Sequence, residues 1–216
     1  MTILNEFASK KLLEDVGINI VKGFIAEYGS GDIAIETILE LIGTEEYVLK
    51  IVSPDIVHKS DVGGVILNVP MKYISREMNK MIDNIVMNQS DARIQGIYIQ
   101  EMVEPGIECI IGIKEDPQFG KVIIFGFGGI YTEVFKDISM RILPITVDDA
   151  HEMIMETKIY KILSGVRGKQ YDIEAITDTI LKVCIMSEKY NIIELDINPL
   201  VVHEKGCKVL DARIMT

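Results

Sequence analysis

Two pairs of strand-like runs in this chain are joined by links of only three or four residues, and that limits the folds open to it. Ile94 to Val103 is followed by Glu104-Pro105-Gly106, a turn signal, and then by Ile107 to Lys114. Ile192 to His203 leads through Glu204-Lys205-Gly206 into Lys208 to Ile214, which reads as a hairpin. A parallel crossover needs about a dozen residues or more, so links this short favour antiparallel neighbours. Helical spacing marks Phe7, Leu12, Leu13 and Val16, with Gly17 as a left-handed stop. Further helices are expected over Ile33 to Leu41, from Ser75 as N-cap through Met78, Met81, Ile82 and Ile85, over Asp148 to Thr157, and over Asp172 to Tyr190. Strands are expected at Ile18 to Val21, Tyr47 to Val52, Val65 to Leu67, Lys121 to Phe127 and Ile138 to Leu143, and Lys161 to Gln170 reads as a loop. Helices and strands alternate, but the short turns favour an α+β protein with mixed sheets over a doubly wound parallel sheet.

The 216 residues suffice for one large domain or two small lobes, and the 48% hydrophobic content supports a filled core. With no Trp and 6% aromatics, that core must be built from Ile, Val, Leu and Met. A net charge of -11 argues against nucleic acid or an anionic membrane as the main partner. Cys109, Cys184 and Cys207 are an odd, scattered set without CxxC spacing, which argues against a disulfide framework or a zinc site and for a reducing cytoplasm. The first sixteen residues carry Glu6, Lys10, Lys11, Glu14 and Asp15 and so lack the apolar centre of a signal peptide. Val122 to Tyr131 is glycine-broken and too short to span a bilayer. The expectation is a soluble, cytoplasmic protein.

Chemistry concentrates first around Lys50. A lysine among apolar strand neighbours is costly to place unless its ammonium reaches an anion or water. The strand is followed by Ser53-Pro54 and by His58-Lys59-Ser60-Asp61-Val62-Gly63-Gly64-Val65, where a glycine pair allows backbone N–H groups to approach phosphate. Lys50, His58 and Lys59 would give an acidic chain one cationic cleft for a nucleotide triphosphate. The spacing is neither GxxxxGK[ST] nor GxGxxG. A solvated strand lysine and a surface histidine are the competing readings. His58 has the further role open to it of a phosphoryl-accepting nucleophile, while His151 and His203 read as structural.

Gln100 to Glu108 is a strand, a turn and a strand start. It suits either a hinge offering backbone to an adenine edge and a carboxylate to ribose hydroxyls, or an ordinary hairpin. Phe125-Gly126-Phe127-Gly128-Gly129 brings backbone close to a phosphate or a partner, or makes a structural turn. Arg141, in the next strand, is placed to clamp a phosphate or to pair with Asp137. Glu194, Asp196 and Asn198 fall on one face of a strand because the side-chain period is two. With Asp211 arriving from the paired strand, these oxygens suit octahedral Mg²⁺ held against phosphates.

Lys50, His58 to Val65, the region of Glu101, Gly112 to Pro144, and Asp196-Ile197-Asn198-Pro199-Leu200-Val201 with Asp211 together resemble the ATP-grasp subunit of ADP-forming acyl-CoA synthetases. The resemblance is nearest to the beta subunit of ADP-forming acetyl-CoA synthetase, and it covers nearly the whole chain. Asp196 stands where the succinyl-CoA branch commonly has Glu, which keeps the oxygen but shortens its reach. The resemblance implies one ATP-grasp domain over residues 1–216. An N-terminal lobe of about 1–100 and a C-terminal lobe of about 101–216 would clamp the nucleotide between mixed or antiparallel sheets. It implies His58 as the phosphoryl relay and Lys50, Lys59, Gly63, Gly64, Glu101, Val103, Glu108 and Arg141 as the nucleotide set. It implies Asp196, Asn198 and Asp211 as the Mg²⁺ set, ADP and ATP as substrates, and a CoA-binding alpha subunit in an alpha2beta2 assembly. The alternatives are a free-standing ATP-grasp carboxylate–amine ligase and a non-catalytic nucleotide-sensing subunit.

Overall fold

In the computed structural model, which describes residues 2–27, 39–40, 42–56, 59–129, 137–166 and 168–216, the strands sort into two separate sheets. The chain divides into two compact units, Val21–Glu104 and Met1–Ile20 with Pro105–Thr216. Among the described residues every strand pair is antiparallel, and the parallel element is a single bridge from Ile20 to Val209.

The smaller unit holds β1 (Gly23–Glu27), β2 (Glu46–Val52), β3 (Val65–Pro70) and β4 (Gly96–Glu101) in the order β1-β4-β2-β3. Tyr47, Leu49 and Ile51 of β2 join Ile97 and Ile99 of β4 in one core. Helix α2 (Ile74–Asn88) completes it with Ile74, Met81 and Ile85, a spacing that puts all three on one helical stripe. This helix starts one residue before Ser75, and Ser75 is not its cap. A 3₁₀ turn over Met71–Tyr73 runs straight into it, and Ile74, 1% exposed, anchors its first turn. Of the helix expected over Ile33 to Leu41, residues 33–38 and 41 lie outside the described residues.

The larger unit carries β5 (Ile107–Asp116), β6 (Gly120–Phe127), β7 (Ile138–Ile142), β8 (Glu194–Val202), β9 (Cys207–Val209) and β10 (Ala212–Met215). Their order is β10-β8-β5-β6-β7, with β9 also on β8. Cys109, Ile111 and Ile113 of β5, Ile123 and Phe125 of β6, and Leu195 and Ile197 of β8 turn to one face. They pack there with Met153 and Ile154 of α3 (Val147–Glu156) and Ile176, Ile180 and Val183 of α5 (Ile173–Lys189). Helix α3 opens on a capping box between Thr146 and Asp149. Asp172 caps α5 through the Ala175 N–H (3.0 Å) and accepts the Gly206 N–H (2.7 Å), so one carboxylate fixes a helix start and the β8–β9 turn. All three cysteines are buried free thiols.

Four further expectations need correction. The lobe expected to begin at residue 1 begins at Val21, because α1 (Glu6–Asp15) belongs with the larger unit. Leu13 is fully buried in that unit's core, and the Leu4 N–H donates to the Ile214 carbonyl at 2.9 Å. The strand expected at 18–21 is reduced to the Ile20 bridge, and the paired strand is β1. The segment Glu104-Pro105-Gly106 is no hairpin: β4 pairs β1 and β2, whereas β5 pairs β6 and β8, so the link joins two sheets. Within the loop expected over Lys161 to Gln170, residues up to Leu163 belong to a short helix, α4 (Tyr160–Leu163).

Candidate nucleotide and metal site

In the smaller unit Lys50 sits in the middle of β2, in register with Val65 of β3 and Tyr98 of β4. Its face of the strand also presents Val48, and the sheet adds Tyr98 and Gln100, all at or below 4% exposure. Lys50 itself is 8% exposed, which removes the reading of a solvated strand lysine. A cation so placed is held by the polar groups and anions it meets, because hydration is largely lost to it.

The loop after β2 departs from its expected chemistry. Ser60–Val62 forms a 3₁₀ turn that ends on Gly63 at φ 71°, a left-handed conformation suited to glycine. The Gly63 N–H donates to the Ser60 carbonyl at 3.2 Å, and the Gly64 N–H to the Lys59 carbonyl at 2.7 Å. A Cβ on Gly64 would meet Ile51 Cγ2 at 2.6 Å. The pair therefore closes the loop against β2, and its N–H groups are spent on the loop itself and not turned toward a phosphate. Lys59 is half-buried at the start of this turn. His58 lies outside the described residues.

At the end of β4 the Glu101 carboxylate accepts the Lys22 N–H at 2.8 Å, which ties down the approach to β1 and competes with a ribose hydroxyl. Val103 lies in the link beyond β4, where its N–H and C=O bond to no other described backbone group. That leaves them suited to an adenine edge.

The larger unit gathers its polar residues on the open face of its sheet. Along β8, Glu194, Asp196 and Asn198 are exposed and alternate with buried Leu195 and Ile197, the period-two row the sequence indicated. The expected strand over 208–214 breaks between β9 and β10, and the break puts Asp211 opposite Asn198, whose N–H donates to the Asp211 carbonyl at 3.2 Å. Asp196 faces Gly112 of β5 on one side and Arg213 of β10 on the other. Its carboxyl is held above the ordinary carboxylate range, first by loss of surrounding solvent and then by the charges of Asp211 and Glu194, with Arg213 opposing. Such crowding is the condition a divalent cation relieves. Among the described residues no three His, Cys, Asp or Glu side chains converge as metal ligands. Asp196, Asp211 and Asn198, the set that the sequence suggests, would offer two carboxylates and an amide oxygen, the donor types that Mg²⁺ takes beside phosphate and water.

Glu108, exposed at the start of β5, and the Gly128-Gly129 loop meet on the same face. The Gly128 N–H donates to the Glu108 carbonyl at 2.8 Å, and the Gly129 N–H points to Asn198 Oδ1 at 3.4 Å. Gly129 has φ 69°, and a Cβ there would run into the Glu108 carboxylate. The loop is therefore a close approach of backbone to β5, at Glu108 and Cys109, with one longer contact to the Asn198 side chain of β8. Gly129→Ala is expected to destabilise the chain by about 1–3 kcal/mol in urea unfolding, from backbone strain and this contact. Glu108→Ala in the same chain should recover the steric part alone. An unchanged urea midpoint for Gly129→Ala would refute the argument.

Arg141 does not pair with Asp137. Its Nη2 and Nη1 reach Glu156 Oε1 and Oε2 at 2.6 and 3.0 Å, a two-point pair that Ser139 joins by donating to Oε2 at 2.7 Å. Glu156 is accordingly drawn below the usual carboxylate range, chiefly by Arg141 and then Ser139. Asp137 instead accepts the Lys158 and Ile159 N–H groups at 2.8 and 2.9 Å. Arg141 reaches a phosphate only by giving up Glu156, a partner that nothing in the local sequence of β7 signals.

The whole chain, residues 1–216, matches the family model described as an ATP-grasp domain. It is 41% identical to the beta subunit of acetate–CoA ligase [ADP-forming] II from Pyrococcus furiosus, over 99% of this chain and 92% of that one. It is 49% identical to acetate–CoA ligase [ADP-forming] I from Archaeoglobus fulgidus over 78% of this chain, and that match spans a quarter (25%) of the Archaeoglobus protein's length. A solved structure of the dinucleotide-forming acetyl-coenzyme A synthetase 1 of Ca. Korarchaeum cryptofilum is similar at a TM-score of 0.83 and 38% identity, over 99% of this chain and 92% of that one. That structure holds coenzyme A and Mg-AMPPCP, with a phosphohistidine segment pointing towards the nucleotide-binding site.

Proposed function

The chain belongs to the ATP-grasp family of beta subunits of ADP-forming acetate–CoA ligases, and on that premise we propose that it is the nucleotide-handling half of an ADP-forming acyl-CoA synthetase. One observation carries the reading: the open sheet face with Asp196, Asn198 and Asp211 lies in a chain that matches a beta subunit over nearly its full length. The overall reaction converts acyl-CoA, ADP and phosphate into the free acid, CoA and ATP. A CoA-binding alpha subunit, in an alpha2beta2 assembly, makes the acyl phosphate and carries its phosphoryl group on a histidine.

His58 takes over that phosphoryl group. A lone pair of its neutral imidazole forms a P–N bond as the bond to the partner's histidine breaks. A terminal oxygen of ADP then attacks the same phosphorus, the bond to His58 breaks, and neutral imidazole returns. Lys50 offers a desolvated ammonium to the nucleotide phosphates, where a charge-assisted bond is strong. Val103 offers backbone to the base, and Glu108 a carboxylate to ribose hydroxyls. Asp196, Asn198 and Asp211 hold Mg²⁺, which when bound neutralises charge on the phosphates during transfer.

The test is reconstitution with a CoA-binding alpha chain. ATP should form from acetyl-CoA, ADP and phosphate only in the mixture, and acid-labile phosphate should appear on this chain when it is incubated with ATP. Amide-bond formation by the chain alone, without such phosphate, would favour a carboxylate–amine ligase. Among the described residues no helix is long and apolar enough to cross a membrane.

A further inference from the structure

Lys10 is 1% exposed in the first helix of the chain, although a lysine is among the residues least often buried. Glu6, one helical turn earlier, sets Oε1 at 2.9 Å from its ammonium, and this carboxylate's side chain is itself 7% exposed. The same ammonium donates to the carbonyl of Leu210 at 2.9 Å, across 200 positions of sequence. Burying such a pair brings little net stability, since an apolar side chain of similar volume often does as well or better. The place where the pair ends is therefore the informative part.

Leu210 and Asp211 are the two residues between β9 and β10, where the hairpin ladder is interrupted. The Leu210 N–H donates to the Pro199 carbonyl at 3.0 Å, and the Asp211 carbonyl accepts the Asn198 N–H at 3.2 Å. The Lys10 contact adds a charged grip on the peptide that leads into Asp211. We propose that Lys10, oriented by Glu6, is a positioning residue for Asp211: it sets the angle at which this carboxylate meets the divalent cation alongside Asp196 and Asn198. A metal ligand works within a narrow geometry, and Mg²⁺ demands a nearly regular octahedron. A strand interruption that presents the ligand also loosens it, and a buried ammonium on a packed helix restores the constraint. The inference rests on the reading of Asp211 as a metal ligand given above.

The experiment uses the full chain as wild type, Lys10→Met, Glu6→Gln/Lys10→Met and Asp211→Asn. Calorimetry gives ADP affinity without metal and the Mg²⁺ concentration for half-maximal enhancement of ADP binding. Mn²⁺ in place of Mg²⁺ gives an electron paramagnetic resonance signal of the bound ion. The double variant removes both charges together and so keeps a folded chain for comparison where Lys10→Met alone unfolds. Positioning predicts a roughly tenfold rise in the Mg²⁺ half-point in the Lys10 variants and a changed Mn²⁺ spectrum. The metal-free ADP affinity should stay within about twofold of wild type. A folded double variant with wild-type Mg²⁺ dependence overturns the proposal while the metal reading stands, provided Asp211→Asn loses that dependence. If Asp211→Asn also keeps it, the metal reading fails and the positioning role fails with it.

Discussion

His58→Asn is expected to abolish net ATP formation from acyl-CoA, ADP and phosphate in the reconstituted complex, a loss of at least about a thousand-fold. Asparagine keeps a polar side chain of similar reach but has no nitrogen lone pair able to bond phosphorus. Transfer then has no relay between the partner's histidine and the nucleotide. The loop that follows His58 is fastened by the Gly63 and Gly64 hydrogen bonds and by the Ile51 N–H to the Gly64 carbonyl at 2.8 Å, none of which uses the imidazole. Folding, partner assembly and ADP binding should therefore stay near wild type. Phosphorylation of the alpha chain by acyl-CoA and phosphate should also survive, since that half-reaction lies upstream. Labelled phosphate followed through full and half reactions measures both. Wild-type ATP synthesis by the variant would return His58 to the role of a surface residue.

The part of the fold that could be read from the sequence is the part governed by local periodicity. Glu194, Asp196 and Asn198 were visible as a row because Leu195 and Ile197 must turn inward on a strand with one buried face. The turn at Gly206, with φ 79°, sets the register that brings Asp211 back to the same strand. Partners distant in sequence were hidden. Arg141 finds Glu156 through the packing of α3 beside β7, and the N-terminal segment joins the larger unit through Leu4 and through Lys10 and Leu13 of α1. The glycine pair at 63 and 64 is ambiguous in sequence for another reason. Glycine marks a close approach, and whether it is to a phosphate or to Ile51 depends on the fold around it. The division into lobes followed chain order, whereas α1 is held by the C-terminal unit's own strands.

Asp196→Asn should separate stability from metal binding in opposite directions. The carboxyl stands in a crowd with Asp211 and Glu194, and its pKa lies above the ordinary carboxylate value. For a carboxylate shifted upward, folding is opposed by the charged form, so the penalty is full above the folded-state pKa. It fades as pH falls through that value toward the unfolded-state pKa. Without divalent cations, the variant should therefore melt higher than wild type at neutral pH, and the gap should close in acid. Mg²⁺ reverses the order, because the same crowded charge is what draws the ion. Losing a direct carboxylate ligand should raise the Mg²⁺ needed for ADP binding by about a hundred-fold or more, the upper end of what even outer partners of a metal contribute. Thermal melts across pH in a chelator, with calorimetric titrations of ADP at stepped Mg²⁺, measure the two effects on one protein. A variant that melts higher yet keeps its Mg²⁺ dependence would show that the acidic row is crowded for another reason and that the ion sits elsewhere.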